Sequence, residues 1–104
     1  MTAMTALTPP RDCATMQALR SEIDALDRQI VTLLARRAGY IDRAAELKPG
    51  EGLPARIPAR VEEVVARVRA EAVGVGLDPE LVETLWRRLI DWSIAREAQV
   101  IELD

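Results

Sequence analysis

Residues 19–48 read LRSEIDALDRQIVTLLARRAGYIDRAAELK, and the spacing of apolar residues in this stretch decides the fold. Leu19, Ile23, Leu26, Ile30 and Leu33 are followed in the same rhythm by Arg37, Tyr40, Ala44 and Leu47. Steps of four and three residues in strict alternation place all of them on one side of a long helix. Arg37 is the exception within the stripe. A guanidinium keeps its proton, and burying it unpaired is costly, so an anion must stand beside it: an acidic side chain or a ligand. Lys48 follows eleven residues later. At ~100° per residue that is about 1100°, only ~20° from three whole turns, so Lys48 points along the same line as Arg37. Two aligned cations on the inner side of a helix point to a pocket for a small anion.

Outward from this stretch, the chain reads as three helices and a tail. The first helix is predicted to start near Thr15, with Thr15 or Asp12 as its cap, and to end at about Lys48, before Pro49-Gly50. At about 1.5 Å per residue it is on the order of 50 Å long. The rest of so small a chain cannot cover it, which predicts a partner chain and hence a homodimer. Three prolines and two glycines make 49–58 a loop. A second helix is expected over about Ala59 to Glu71, with Val61, Val64, Val65 and Val68 on one side, and a break follows at Val73-Gly74-Val75-Gly76. Asp78, Pro79 and Glu80 announce a third helix as N-cap, first residue and first-turn acid. It is expected to run to about Glu102 with Val82, Trp86, Leu89, Ser93, Glu97 and Val100 inward. Residues 1–14 read as a flexible N-terminal tail and residues 15–104 as a single all-α domain.

Composition narrows the function. The chain has 104 residues, 49% of them hydrophobic, a net charge of −3, no Phe and only 3% aromatics, so one small aliphatic core is expected. The acidic balance argues against nucleic acid as a partner. No stretch is apolar enough for a signal peptide or a membrane span, and the single cysteine, Cys13, fits a reducing cytoplasm in which it is an incidental thiol. Histidine is absent altogether. That removes the commonest general base, the histidine-dependent triads and most catalytic zinc sites. An enzyme built this way must work by positioning and electrostatics.

Other charged positions fall where a site could use them. Arg20 precedes Arg37 by seventeen residues, or about 25 Å of helix, so one small molecule meets both only if Arg20 comes from the other subunit. Ser93 and Glu97 are four apart and share a face of the third helix. Arg60, following the loop, could close over the same cavity. Plainer roles stand beside each of these: Arg37 as an interface residue paired with a carboxylate, Lys48 as a solvated charge at a helix C-terminus. Arg20 could pair with Asp24, Glu97 with Arg37, and Ser93 could be a small packing residue.

The segments Leu19 to Asp27, Leu34-Ala35-Arg36-Arg37 with Lys48 eleven on, Arg60-Val61, Gly76-Leu77-Asp78 and Leu89-Ile90-Asp91-Trp92-Ser93 together resemble the all-helical chorismate mutase family. Within it they are close to the isochorismate-pyruvate lyase branch. The resemblance covers about Asp12 to Glu102. It implies an intertwined homodimer of three-helix chains with two sites, each built from both subunits. Arg37 would hold one substrate carboxylate, and Arg20 of the other chain the second. Lys48 would contact a carboxylate and the ether oxygen of the breaking C–O bond, Arg60 would be a further substrate contact, and Ser93 would lie near the ring hydroxyl. Glu97 stands where the family usually places glutamine as a second donor to the ether oxygen. The implied reaction is the pericyclic rearrangement of chorismate to prephenate, which needs no nucleophile, base, metal or cofactor.

Two departures shape the expected activity. Val61 occupies the position of a glutamate that typical mutases direct at the ring hydroxyl; the lyase branch also lacks that acid. Trp92 and the Asp12-Cys13 lead-in look lyase-like, whereas Ser93 looks mutase-like. As an anion Glu97 cannot donate to an ether oxygen and must be protonated to do so, so turnover is expected to rise toward acidic pH. The reading favours a cytoplasmic chorismate mutase. The alternatives are a lyase forming salicylate and pyruvate, a mutase of an amino-deoxychorismate analogue, and a non-catalytic helical dimer serving as an effector-binding or interaction module.

Overall fold

The computed structural model describes residues 7–104, which form three α-helices: α1 Met16–Leu47, α2 Pro58–Gly74 and α3 Pro79–Glu97. Among the described residues there is no strand, and no helix is long and apolar enough to cross a membrane. The all-helical expectation holds. Of the tail expected over residues 1–14, residues 1–6 lie outside the described residues, while Pro10–Asp12 makes one 3-10 turn.

The chain divides into two compact units, residues 1–37 and 38–104. In the first unit, the Ala18 amide donates to the Thr15 hydroxyl at 3.1 Å. Thr15 rather than Asp12 is therefore the cap of α1, satisfying one of the amides that a helix start leaves open. The apolar row falls on α1 as its spacing predicts, with Leu19 and Leu26 half-buried. Ile23, Ile30 and Leu33 of the same row are close to half exposed.

The second unit holds the end of α1 and the α2–α3 hairpin. Its core is aliphatic: Ala55, Val65, Ile90 and Ile94 are buried together, with Val61, Val64, Trp86, Ala98 and Ile101 packed around them. Each fully buried valine or isoleucine contributes about 1.5–3 kcal/mol relative to exposure. Arg69 ties α2 to α3 through Glu80 and Glu83, both at 2.8 Å, and Arg87 does so through Glu62 at 2.9 Å while also holding Glu83 at 2.7 Å. These pairs lie at the surface, where each is worth about 0–1 kcal/mol.

Two helix ends differ from the sequence-based expectation. Helix α2 passes beyond Glu71 to Gly74 because the left-handed residue that ends it is Gly76, at φ 76°. Leu77 N–H donates to Ala72 O at 2.8 Å and Gly76 N–H to Val73 O at 3.2 Å, the paired closure that satisfies the last helical carbonyls. Helix α3 starts as expected, with the Asp78 side chain accepting from Glu80 N–H at 2.9 Å, but it stops at Glu97 rather than Glu102. Residues 98–100 turn, and the carbonyls of Glu102 and Leu103 then accept from the amides of Ala55 and Arg56 at 2.8 and 2.7 Å. Leaving the helix turns Val100 out of the expected inner row: it is 75% exposed.

Candidate functional site

Lys48 sits immediately past the end of α1, its amide still bonded to Ala44 O at 2.9 Å. Pro49 opens the next turn and Gly52, at φ 70°, reverses the chain, so 53–57 passes back beside the lysine side chain. The Lys48 ammonium donates to the Ala55 carbonyl at 2.9 Å and lies 2.7 Å from Glu97 Oε1. The Lys48 side chain is 18% exposed and that of Glu97 only 4%. Glu97 Oε1 is fully enclosed yet accepts no well-aligned hydrogen bond, so its contact with the ammonium is mainly electrostatic. The ammonium compensates a carboxylate that would be costly to bury alone.

Ser93 lies one turn before Glu97 on the same inner face of α3 and is 3% exposed. Its hydroxyl donates to Leu89 O at 2.8 Å, within its own helix. Lys48, Glu97 and Ser93, all expected site residues, thus belong to one buried polar region of the second unit. Arg60 is exposed in the first turn of α2 and pairs with Glu63 on the same helix. In the first unit, Arg20 is exposed and forms no ion pair with Asp24 among the described residues, whereas Arg37 is half-buried. Val61 packs against the core, so no acid stands at that point of α2.

Two neighbours of the site escape a reading of side-chain patterns. The Ala55 carbonyl is a backbone group with no signature in the sequence. The second is the Asp42–Arg96 pair, bidentate at 2.6 and 2.9 Å, with the guanidinium 5.2 Å above the Trp92 ring centre. Trp92 thereby serves as a platform for Arg96. The hydrogen bonds from Arg96 hold the Asp42 carboxyl below its ordinary range, and Asp42 in turn raises Arg96.

The family described as chorismate mutase type II matches residues 19–98. The chain is 36% identical to a T-protein of Enterobacter agglomerans over 84 residues, covering 81% of this chain but only 22% of that protein. It thus spans about a fifth of the length of the T-proteins it matches. It is also 36% identical to the isochorismate pyruvate lyase of Pseudomonas aeruginosa over 89 residues, covering 85% of this chain and 86% of the lyase. A 4-amino-4-deoxychorismate mutase of Streptomyces venezuelae is 35% identical over 75 residues, 72% of this chain and 73% of that protein. The family match takes in nearly all of α1 and the whole of α2 and α3, and the chain belongs to the chorismate mutase type II family.

Proposed function

We propose that the chain is a chorismate mutase that works as a homodimer, and the buried Lys48–Glu97 pair beside Ser93 carries this reading. Each site would take Arg37, Lys48, Arg60, Ser93 and Glu97 from one chain and Arg20 of the partner subunit. The two arginines Arg37 and Arg20 clamp the two carboxylates and hold the substrate in a compact, chair-like conformer. An ammonium has three donors, so Lys48 keeps at least one N–H for the ether oxygen while resting against Ala55 O and Glu97. As the C–O bond breaks, charge grows on that oxygen and the lysine contact strengthens, which lowers the barrier rather than merely tightening binding. Protonated Glu97 is the second donor, and Arg60 would exchange Glu63 for the substrate. The dimer is supported by the half-exposed row of Ile23, Ile30 and Leu33 on a helix of 32 residues, on the order of 48 Å long. A cytoplasmic location, where a lone cysteine stays reduced, goes with this reading.

A second reading is favoured by Val61, which puts no acid near a ring hydroxyl, and by the lyase relative of equal length and 36% identity. It is elimination of pyruvate from isochorismate in the same cationic clamp. The test is a side-by-side assay with chorismate and isochorismate at pH 5 and pH 7.5, following prephenate, salicylate and pyruvate. Prephenate from chorismate supports the mutase. Salicylate with stoichiometric pyruvate and no prephenate overturns it in favour of the lyase, and no product from either leaves the helical dimer as a binding module.

A further inference from the structure

We propose that the segment 101–104 is a positioning strap for Lys48. It acts on a single peptide group, the one formed by the Ala55 carbonyl and the Arg56 amide. On one side the Arg56 N–H donates to Leu103 O at 2.7 Å; on the other the Ala55 carbonyl accepts from Lys48 Nζ at 2.9 Å. A peptide group is planar and trans, with its N–H and C=O pointing in opposite directions. Fixing the N–H therefore aims the carbonyl. A second bond, Ala55 N–H to Glu102 O at 2.8 Å, stops the segment from pivoting about the first.

Ala55 itself is buried in the core cluster, and Ile101 packs against that cluster, so the strap is anchored immediately before its two carbonyls. The bonds also polarise one another: a carbonyl whose own peptide N–H is engaged is a better acceptor for the ammonium. The consequence is a chain of contacts from Leu103 through the 55–56 peptide to the Lys48 ammonium and on to Glu97. None of it depends on the side chains of Glu102 or Leu103, which are exposed. The inference rests on the reading that Lys48 works at the breaking C–O bond.

Lys48 is the only lysine in the sequence, which makes its environment directly measurable. The experiment compares the full chain, a chain ended at Ile101, and the double variant Glu102→Ala/Leu103→Ala, which keeps both carbonyls. Two quantities are read: kcat and KM on chorismate, and the rate at which an N-hydroxysuccinimide ester acylates Lys48 relative to the α-amine. The shortened chain is expected to lose kcat by about 10- to 100-fold, with KM changed far less, and to acylate several-fold faster at Lys48. The double variant is expected to match the full chain in both. Unchanged kinetics and acylation in the shortened chain overturn the proposal, and so does a double variant as impaired as the shortened one. If the full chain turns over no chorismate, the mutase reading fails while the acylation ratio still decides the strap. If the shortened chain does not fold, amide exchange in the full chain decides. Arg56 is exposed, so slow exchange of its amide supports the bond to Leu103 and fast exchange refutes it.

Discussion

Replacing Lys48 by methionine, which keeps the stem and removes the charge, probes the site through stability alone. The substitution withdraws the ammonium 2.7 Å from Glu97 Oε1 and the donor 2.9 Å from Ala55 O. Breaking a buried pair from one side costs about 3–5 kcal/mol when the remaining charge is stranded. Lys48 is 18% exposed, so water reaches part of the pair and the lower end applies. The orphaned Ala55 carbonyl adds about 1 kcal/mol. Together these give a loss of about 4 kcal/mol. With a urea slope of about 1.5 kcal/mol/M for a chain of this size, the midpoint should fall by about 2.7 M.

The companion variant Lys48→Met/Glu97→Leu removes both charges and should recover most of that loss, because an apolar pair of similar volume is close to neutral. A coupling of about 2 kcal/mol is therefore expected in the double-mutant cycle. The assay is urea unfolding followed by circular dichroism at pH 7.5 and one fixed protein concentration, since association also contributes stability. A loss below about 0.5 kcal/mol for Lys48→Met, or a double variant equal to the sum of the singles, would refute the reasoning, because either result means the pair is solvated.

Other outcomes follow from the same geometry. Glu97→Gln puts a permanent amide donor where an ionised carboxylate can only accept, so it should turn over chorismate at pH 7.5 at least as fast as the unmodified chain; a tenfold loss of kcat contradicts the donor role. Gly76→Ala puts a Cβ at φ 76°, where nothing lies within 4 Å to clash, so it should cost only the backbone term of about 1 kcal/mol, read as a lowered urea midpoint. Hydrogen bonds from arginines lower Asp42 (from Arg96), Glu62 and Glu83 (from Arg87) and Glu63 (from Arg60) below their ordinary values of 3.8 for the aspartate and 4.5 for the glutamates. Their contribution to stability is complete above that range and drains away as pH falls through it and below. Arg87→Met should therefore lower the urea midpoint at pH 7 and leave it nearly unchanged at pH 2.5; an equal loss at both would contradict the ion-pair explanation.

How much of this was legible beforehand depends on whether side chains or backbone carry the information. The α1 rhythm from Leu19 to Leu47 and the Asp78-Pro79-Glu80 start of α3 are side-chain signals, and both elements form where they predict. The end of α3 is a backbone event. Apolar spacing continues through Val100, but the carbonyls of Glu102 and Leu103 are drawn away by the amides of Ala55 and Arg56. In the same way Gly74 and Gly76 look alike as breakers, and only the closure onto Ala72 and Val73 selects Gly76. At the site, Ser93 and Glu97 are legible as polar residues on the inner row of α3, and Lys48 by its alignment with Arg37. The family resemblance places all three at one substrate, whereas the direct ion pair of Lys48 with Glu97 has no signature in the spacing of side chains. Arg60 adds a local partner that the sequence reading did not name: Glu63, the acid one turn along its own helix.

The central claim is that one chain supplies Lys48, and its partner Arg20, to a site that rearranges chorismate. It is tested most directly by refolding equal amounts of the Arg20→Ala and Lys48→Met variants together and measuring prephenate formation. Each variant alone should be nearly inactive. Random pairing makes half the dimers mixed, and each mixed dimer restores one of its two sites, so about a quarter of the wild-type rate should return. Activity that stays at the level of the separate variants would contradict a shared site.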